Sequence, residues 1–348
     1  MKKRFSFALI GVLALSAGMA HAATVKLAET GSTLLYPLFD AWVMDYKAIA
    51  PDVAMTAAAT GSAAGTSAAL NKTVSVGSSD AYLSDEDAAQ NPDILDIPVA
   101  ISAQTINYNI PGLNGPLKLD GPTLAGIYSG QIQQWDDPAI KDMNPGLNLP
   151  SKPIIPIRRA DGSGDTFIFT QFLDFAADSW EDNPGYGITV DWPSVSAEVT
   201  ATGNAGMVKA LSGTPYSVGY VGVSYAADLA KAGVGTALIK NQNGKFLLPT
   251  PQTIADAAAE LDPRTPPYER ITLAFAPGDD SYPLINYEYV LVSKTQPDAA
   301  TAAALRSFLN WAVSAEGGNA PKYLDAVHFI PLPDFIRALS EAQIGQIQ

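Results

Sequence analysis

Three times in its first eighty residues this chain leaves a short apolar strand for a loop of glycine, serine and threonine. Residues 24–28 read as a strand, followed by Glu29-Thr30-Gly31-Ser32-Thr33. A helix over 37–49 comes next, where Leu38, Phe39, Trp42, Val43, Tyr46 and Ile49 recur at helical spacing and Pro37 suits the opening turn. Residues 53–56 form the next expected strand, with Gly61-Ser62-Ala63-Ala64-Gly65 before a helix over 66–71. A third strand at 74–77 ends in Ser78-Ser79-Asp80, and Asp85 and Glu86 favour a further helix start. Strands that each end in a small-residue loop predict an open α/β sheet with a site at its strand ends.

Farther along, Ile97-Pro98-Val99-Ala100-Ile101 and Gln104-Thr105-Ile106-Asn107-Tyr108 supply strand material, and proline in the first predicts an edge or irregular strand. The chain is expected to cross into a second domain near 102–108 and to return near 281–286, before a strand over 287–293 and an amphipathic helix over 299–313. Two crossings imply two lobes on a short hinge. Residues 241–280, rich in proline, glycine and charge, read as extended connections around short strands.

The N-terminus predicts export. Lys2, Lys3 and Arg4 precede an apolar run from Phe5 to about Ala20, and Ala20-His21-Ala22 offers small residues at the positions a signal peptidase reads, so cleavage is expected after Ala22. The run is too short and too interrupted for a membrane anchor, and a lipid anchor would need a cysteine, of which the chain has none. Three of the 21 basic residues and none of the 35 acidic ones lie in this segment, so the remainder is more acidic than the formal −14 of the whole chain. That balance argues against nucleic acid and polybasic membrane attachment. It also repels anions at long range, so any anion site here must work through donors aimed at close quarters. With His328 the sole histidine after cleavage and no cysteine, no transition-metal cluster or cofactor is expected, and no serine hydrolase base stands near a nucleophile motif.

The richest local pattern is Arg159-Ala160-Asp161-Gly162-Ser163-Gly164-Asp165-Thr166, between a strand and a helix over 166–177. Glycines 162 and 164 let successive amides converge, Ser163 adds a hydroxyl, the helix start adds unpaired N–H groups, and Arg159 adds a guanidinium fork that fits tetrahedral oxyanions. The lysine of a Walker loop is missing. On pattern alone the same residues also make an ordinary helix cap and turn, as do Ser32-Thr33 and Gly61-Ser62. Asp80 is a strand-end or capping aspartate unless the ligand carries a proton. Hydrogen phosphate does and sulfate does not, so a buried carboxylate would accept the first and repel the second.

In these segments the chain resembles the periplasmic phosphate-binding receptor of the bacterial phosphate ABC importer, from about Lys26 to Leu332. The resemblance implies an α/β, two-lobed periplasmic binding protein fold of type II with two crossover hinge strands. Its implied parts are a signal peptide at 1–22, lobe 1 at 23–104 and 284–348, and lobe 2 at 105–283. It places phosphate contacts on Thr33, Leu34, Ser62, Asp80, Arg159, Ser163 and Gly164, with Thr166 beside them, and reads Gly203-Asn204-Ala205-Gly206 and Gly219-Tyr220-Val221 as structural. Asp165 stands where many members carry threonine. It either touches the anion, favouring a doubly protonated ion, or points aside within the helix cap. The implied function is binding of inorganic phosphate in the periplasm and delivery to the membrane permease of the importer, by a monomer without catalysis. The alternatives are a receptor for arsenate, sulfate or molybdate, a secreted phosphate-handling enzyme, or an adhesive scaffold.

Overall fold

A computed structural model describes residues 24–181 and 183–348; the expected signal peptide lies outside the described residues. Twelve strands are present among them: β1 (Val25–Gly31), β2 (Val53–Thr56), β3 (Val76–Ser79), β4 (Ile94–Asn109), β5 (Lys118–Leu119), β6 (Ile155–Arg159), β7 (Val199–Ala201), β8 (Ser217–Gly222), β9 (Gly235–Thr236), β10 (Leu238–Lys240), β11 (Phe246–Leu247) and β12 (Ile285–Ser293). The principal sheet runs β2-β1-β3-β12-β4-β8-β6-β7, with β9 also on β4, and a small sheet runs β11-β10-β5.

The long strand β4 explains the two-lobed build. Its residues 94–103 pair with β12, and residues 104–109 pair with β8, so one strand belongs to two half-sheets in succession. The two short strands expected at 97–101 and 104–108 are thus a single element of 16 residues, buried at all but its ends. Pro98 lacks an N–H, which suits the outer position it holds in the first half-sheet. Pairing with β12 shifts register there, Tyr289 opposing Pro98 and Glu288 opposing Ala100. On the outer side Ile330 pairs with Ile101 and covers the edge.

In each half the loop-bearing strands are parallel: β2-β1-β3 in the first and β7-β6-β8 in the second. Their C-terminal ends therefore gather on one side, which is where ligands sit in open α/β sheets. The Tyr36–Ile49 helix buries Leu38, Phe39, Trp42 and Tyr46. These aromatics meet Phe308 and Trp311 of the Ala299–Val313 helix, while Trp42 donates its indole N–H to the Gly318 carbonyl. Trp135 and Trp180 are likewise buried, as core packing requires.

Two sequence expectations change. The second loop feeds a helix at Ser62–Leu70 rather than at residue 66, with Gly61 at φ 95° in the position before it. Within 241–280 lies a Pro251–Leu261 helix, started by a reciprocal cap between Thr250 and Thr253. Pro251 opens this helix, so its proline content does not by itself mark an extended connection.

Candidate functional site

Four strand ends supply the site. At the end of β1, Gly31 takes φ 148°, and a Cβ there would stand 2.0 Å from the Ser78 carbonyl oxygen, so no other residue fits this approach. Ser32 follows. Its amide bonds the Ser78 carbonyl and hydroxyl, and its own hydroxyl accepts the Leu34 and Leu35 amides while donating to Asp80 Oδ1. Ser62, first residue of its helix, donates to Asp80 Oδ2 at 3.1 Å. Asp80 is 2 % exposed and takes both hydroxyls from loops that precede it in sequence by 48 and 18 residues.

From the other half, β6 ends in Arg159, whose guanidinium is almost wholly enclosed. Its Nε donates to Asp161 Oδ1 at 2.7 Å and an Nη to Asp161 Oδ2; the other Nη donates to Asp165 Oδ2 at 2.5 Å. Ser163 is the residue capping the Gly164–Ala176 helix, accepting from the Thr166 amide at 3.4 Å. The Thr166 hydroxyl lies 2.8 Å from that of Tyr220, which also accepts the Arg159 amide. Asp165 does not cap its own helix. Its carboxylate faces inward and accepts from Arg159, Ser163, Asn204 and Gln104.

These halves meet. Gly164 approaches Asp80 so closely that a Cβ would lie 2.5 Å from the Asp80 Cβ, and the Ala63 amide donates to the Gly162 carbonyl at 3.2 Å. Thr33 accepts from the Asn204 amide and side chain, the Leu34 carbonyl accepts from the Ser224 hydroxyl, and the Leu34 side chain abuts Gly222. All nine positions singled out from the sequence thus stand around one enclosed region.

Charge there is strongly perturbed. Burial pushes the Asp80 carboxyl up to about 6, with the Asp165 charge adding to the rise, against hydrogen bonds from Glu288 and Ser32 and the pull of Arg159. Burial also opposes ionisation of Asp161, but its hydrogen bond to Arg159 prevails and holds it below the usual range. Burial works against the Arg159 charge too, and the neighbouring carboxylates outweigh it, so the guanidinium stays charged. Among the described residues no group of three histidines, cysteines or carboxylates could hold a metal ion.

Residues 18–316 match the PBP superfamily domain. The phosphate-binding protein PstS of Methanocaldococcus jannaschii is 30% identical over 346 residues, covering 93% of this chain and 87% of that one. That of Xylella fastidiosa strain 9a5c is 32% identical over 311 residues, covering 89% and 82%. The chain belongs to the PstS family of the PBP superfamily. Solved structures carry the same fold at lower identity. PfluDING, a high-affinity periplasmic phosphate-binding protein solved with phosphate, superposes with a TM-score of 0.72 at 21% identity, covering 91% of this chain and 93% of that one. The phosphate-binding protein of Stenotrophomonas maltophilia gives 0.69, at the same identity and coverage.

Within this PstS-family chain the sequence reading left out four residues. Asn204, read as structural, is a hub: it donates to Thr33 and Asp165, and its Oδ1 accepts the Gly222 amide at 2.8 Å. Gln104 reaches Asp165 from β4. Asn286 donates to the Asp80 main-chain carbonyl at 2.9 Å, and the β12–β3 register that sets Tyr289 opposite Ser79 brings Glu288 beside Asp80. Strand patterning marks the last two only as inward positions in an apolar run, and nothing local says what they meet.

Proposed function

We propose that this chain is a periplasmic receptor that closes around inorganic phosphate and presents it to the membrane permease of an ABC importer. Supporting this are the names of its PstS relatives and the meeting of Asp80 with the Arg159–Thr166 loop in one buried region. In this reading Arg159 neutralises the anion, with hydroxyls and amides of Thr33, Leu34, Ser62, Ser163, Gly164 and Thr166 as donors. Asp80 accepts the proton that hydrogen phosphate carries. Donors aimed in a water-poor site offset the ion's lost hydration, which a −14 chain could not do through its overall field.

The lobes proposed are 23–104 with 284–348, and 105–283, so Thr33, Leu34, Ser62 and Asp80 lie on one and Arg159–Thr166 on the other. A ligand held by both stabilises the closed form, and opening releases it. No bond is made or broken. Asp165, already committed to Arg159, Asn204 and Gln104, keeps the guanidinium fork oriented toward the ligand.

Isothermal calorimetry tests the reading, with phosphate titrated against excess sulfate across pH in the wild type and Asp80→Asn. Tight phosphate binding indifferent to sulfate is expected of the wild type, and the amide should lose much of that discrimination. Absence of phosphate binding by the folded wild type would falsify the receptor; unchanged selectivity in Asp80→Asn would remove the aspartate from ion choice.

A further inference from the structure

Glu288 is a buried carboxyl that the proposed ligand contacts do not use. It is 0 % exposed and projects from β12 where the pairing with β4 shifts register, a device that re-aims a side chain. Its two oxygens have different surroundings. Oε1 lies 2.5 Å from the Ser102 hydroxyl, which is also 2.8 Å from Asn286 Oδ1, and 3.3 Å from the Asn286 amide nitrogen, whose shorter bonds go to the Asp80 and Tyr287 carbonyls. Oε2 is buried and, among the described residues, meets no donor. The antiparallel register of β12 on β3, with Tyr289 opposite Ser79, continues to Glu288 opposite Asp80, whose carboxyl is its acidic neighbour. The same strand fixes Asp80 from behind, since Asn286 donates to its main-chain carbonyl.

Two ionised carboxylates cannot share a dry contact, so one hydrogen must lie between them. Were it on Oε1, Oε2 would face Asp80 bare. Were it on Asp80, the carboxyl proposed to receive the ligand's proton would already be filled. The charged groups acting on the pair do not change this: Asp165 repels both carboxylates, and Arg159, engaged by Asp161 and Asp165, attracts Asp80.

We propose that Glu288 is a positioning residue, a neutral acid that donates its Oε2 hydrogen to Asp80 and so keeps Asp80 ionised and turned toward the ligand. This rests on the phosphate-receptor reading and deepens it by adding a residue that sets oxyanion selectivity without touching the ion. Burial raises Glu288 well above the ordinary range, and the Asp80 charge beside it adds to the rise.

Glutamine and leucine separate donation from mere bulk. Glu288→Gln keeps an N–H donor toward Asp80 and a carbonyl toward Ser102, so the full chain should bind phosphate within about threefold of wild type and still reject sulfate. Glu288→Leu removes the donor, Asp80 keeps a proton itself, and the phosphate-over-sulfate ratio should fall by at least about tenfold. Equal losses in both variants, or a wild-type ratio in the leucine variant, overturn the proposal. Infrared spectroscopy at neutral pH reads the hydrogen directly and does not depend on the leucine variant folding. The wild type should show a protonated-carboxyl stretch that Glu288→Gln lacks, and identical spectra there also overturn it. Should the wild type bind no phosphate, the receptor reading fails by itself while the infrared difference still decides where this hydrogen sits.

Discussion

Arg159 touches two carboxylates and stands at the centre of the site's electrostatics. Replacing it with alanine removes the cation proposed to meet phosphate, and binding should weaken by about 30-fold or more, following the roughly 2–5 kcal/mol that deleting one partner of a buried charge pair costs. The same change strands Asp165, which is 1 % exposed, so the protein without ligand should also lose stability. Adding Asp165→Asn to Arg159→Ala should recover about 1–3 kcal/mol of the loss in urea denaturation, because the stranded charge is gone. No recovery would mean that Asp165 is comfortable without its cation. That coupling could not be read from the eight-residue loop alone, where Asp165 fits a helix cap as well as an ion pair.

The loops at the ends of β1 and β8 meet directly, because Gly222 leaves room for the Leu34 side chain. A Cβ on Gly222 would lie 2.2 Å from Leu34 Cδ1 and 3.1 Å from Leu34 Cβ, and Leu34 is completely buried. With no room to turn aside, the leucine should hold the halves apart. Gly222→Ala is therefore expected to lower phosphate affinity by about tenfold, the effect of a clash costing roughly 1–3 kcal/mol in a packed interior. Calorimetry gives the affinity, and small-angle scattering should show less compaction on adding phosphate than in the wild type. Full compaction with normal affinity would show that this contact is not part of closure. Likewise Ser340 and Gln343 of the Asp334–Ile344 helix hold the Glu269 carboxyl and also donate to the Pro98 and Asp96 carbonyls of β4, tying loop, helix and sheet together.

Among the described residues several carboxyls are buried without a cation in hydrogen-bond contact, and burial raises each: Glu29 and Asp96 to about 7, Glu269 to about 8. An acid whose folded value exceeds its unfolded one holds a proton that the unfolded chain releases, so its contribution is complete below the unfolded value of 4.5 for glutamate and is lost as pH climbs through the folded value. Without phosphate, the melting temperature should fall between about pH 5 and pH 8.5. Growing repulsion among the acidic groups acts in the same direction. Glu269→Gln separates the two, because it should flatten the upper part of the curve while leaving the remaining charge in place. A wild-type melting temperature that stays level or rises over this interval would contradict these assignments.

Local chemistry determined much by itself. The apolar spacing of 37–49 and 299–313 allows only helices with one buried face, and glycine, serine and arginine beside a strand end make a donor-rich loop wherever the chain goes. Those signals lie within a few residues of one another, which is why the loops that carry the proposed site positions could be marked early. Tertiary structure decided the rest because the partners are distant in sequence. It set Asn204 between Thr33 and Asp165, and it brought Glu288 to Asp80 across 208 residues of chain. A strand's period of two says which side chains turn inward, and only the assembled sheets say which carboxyl another carboxyl will meet and where their shared hydrogen must reside.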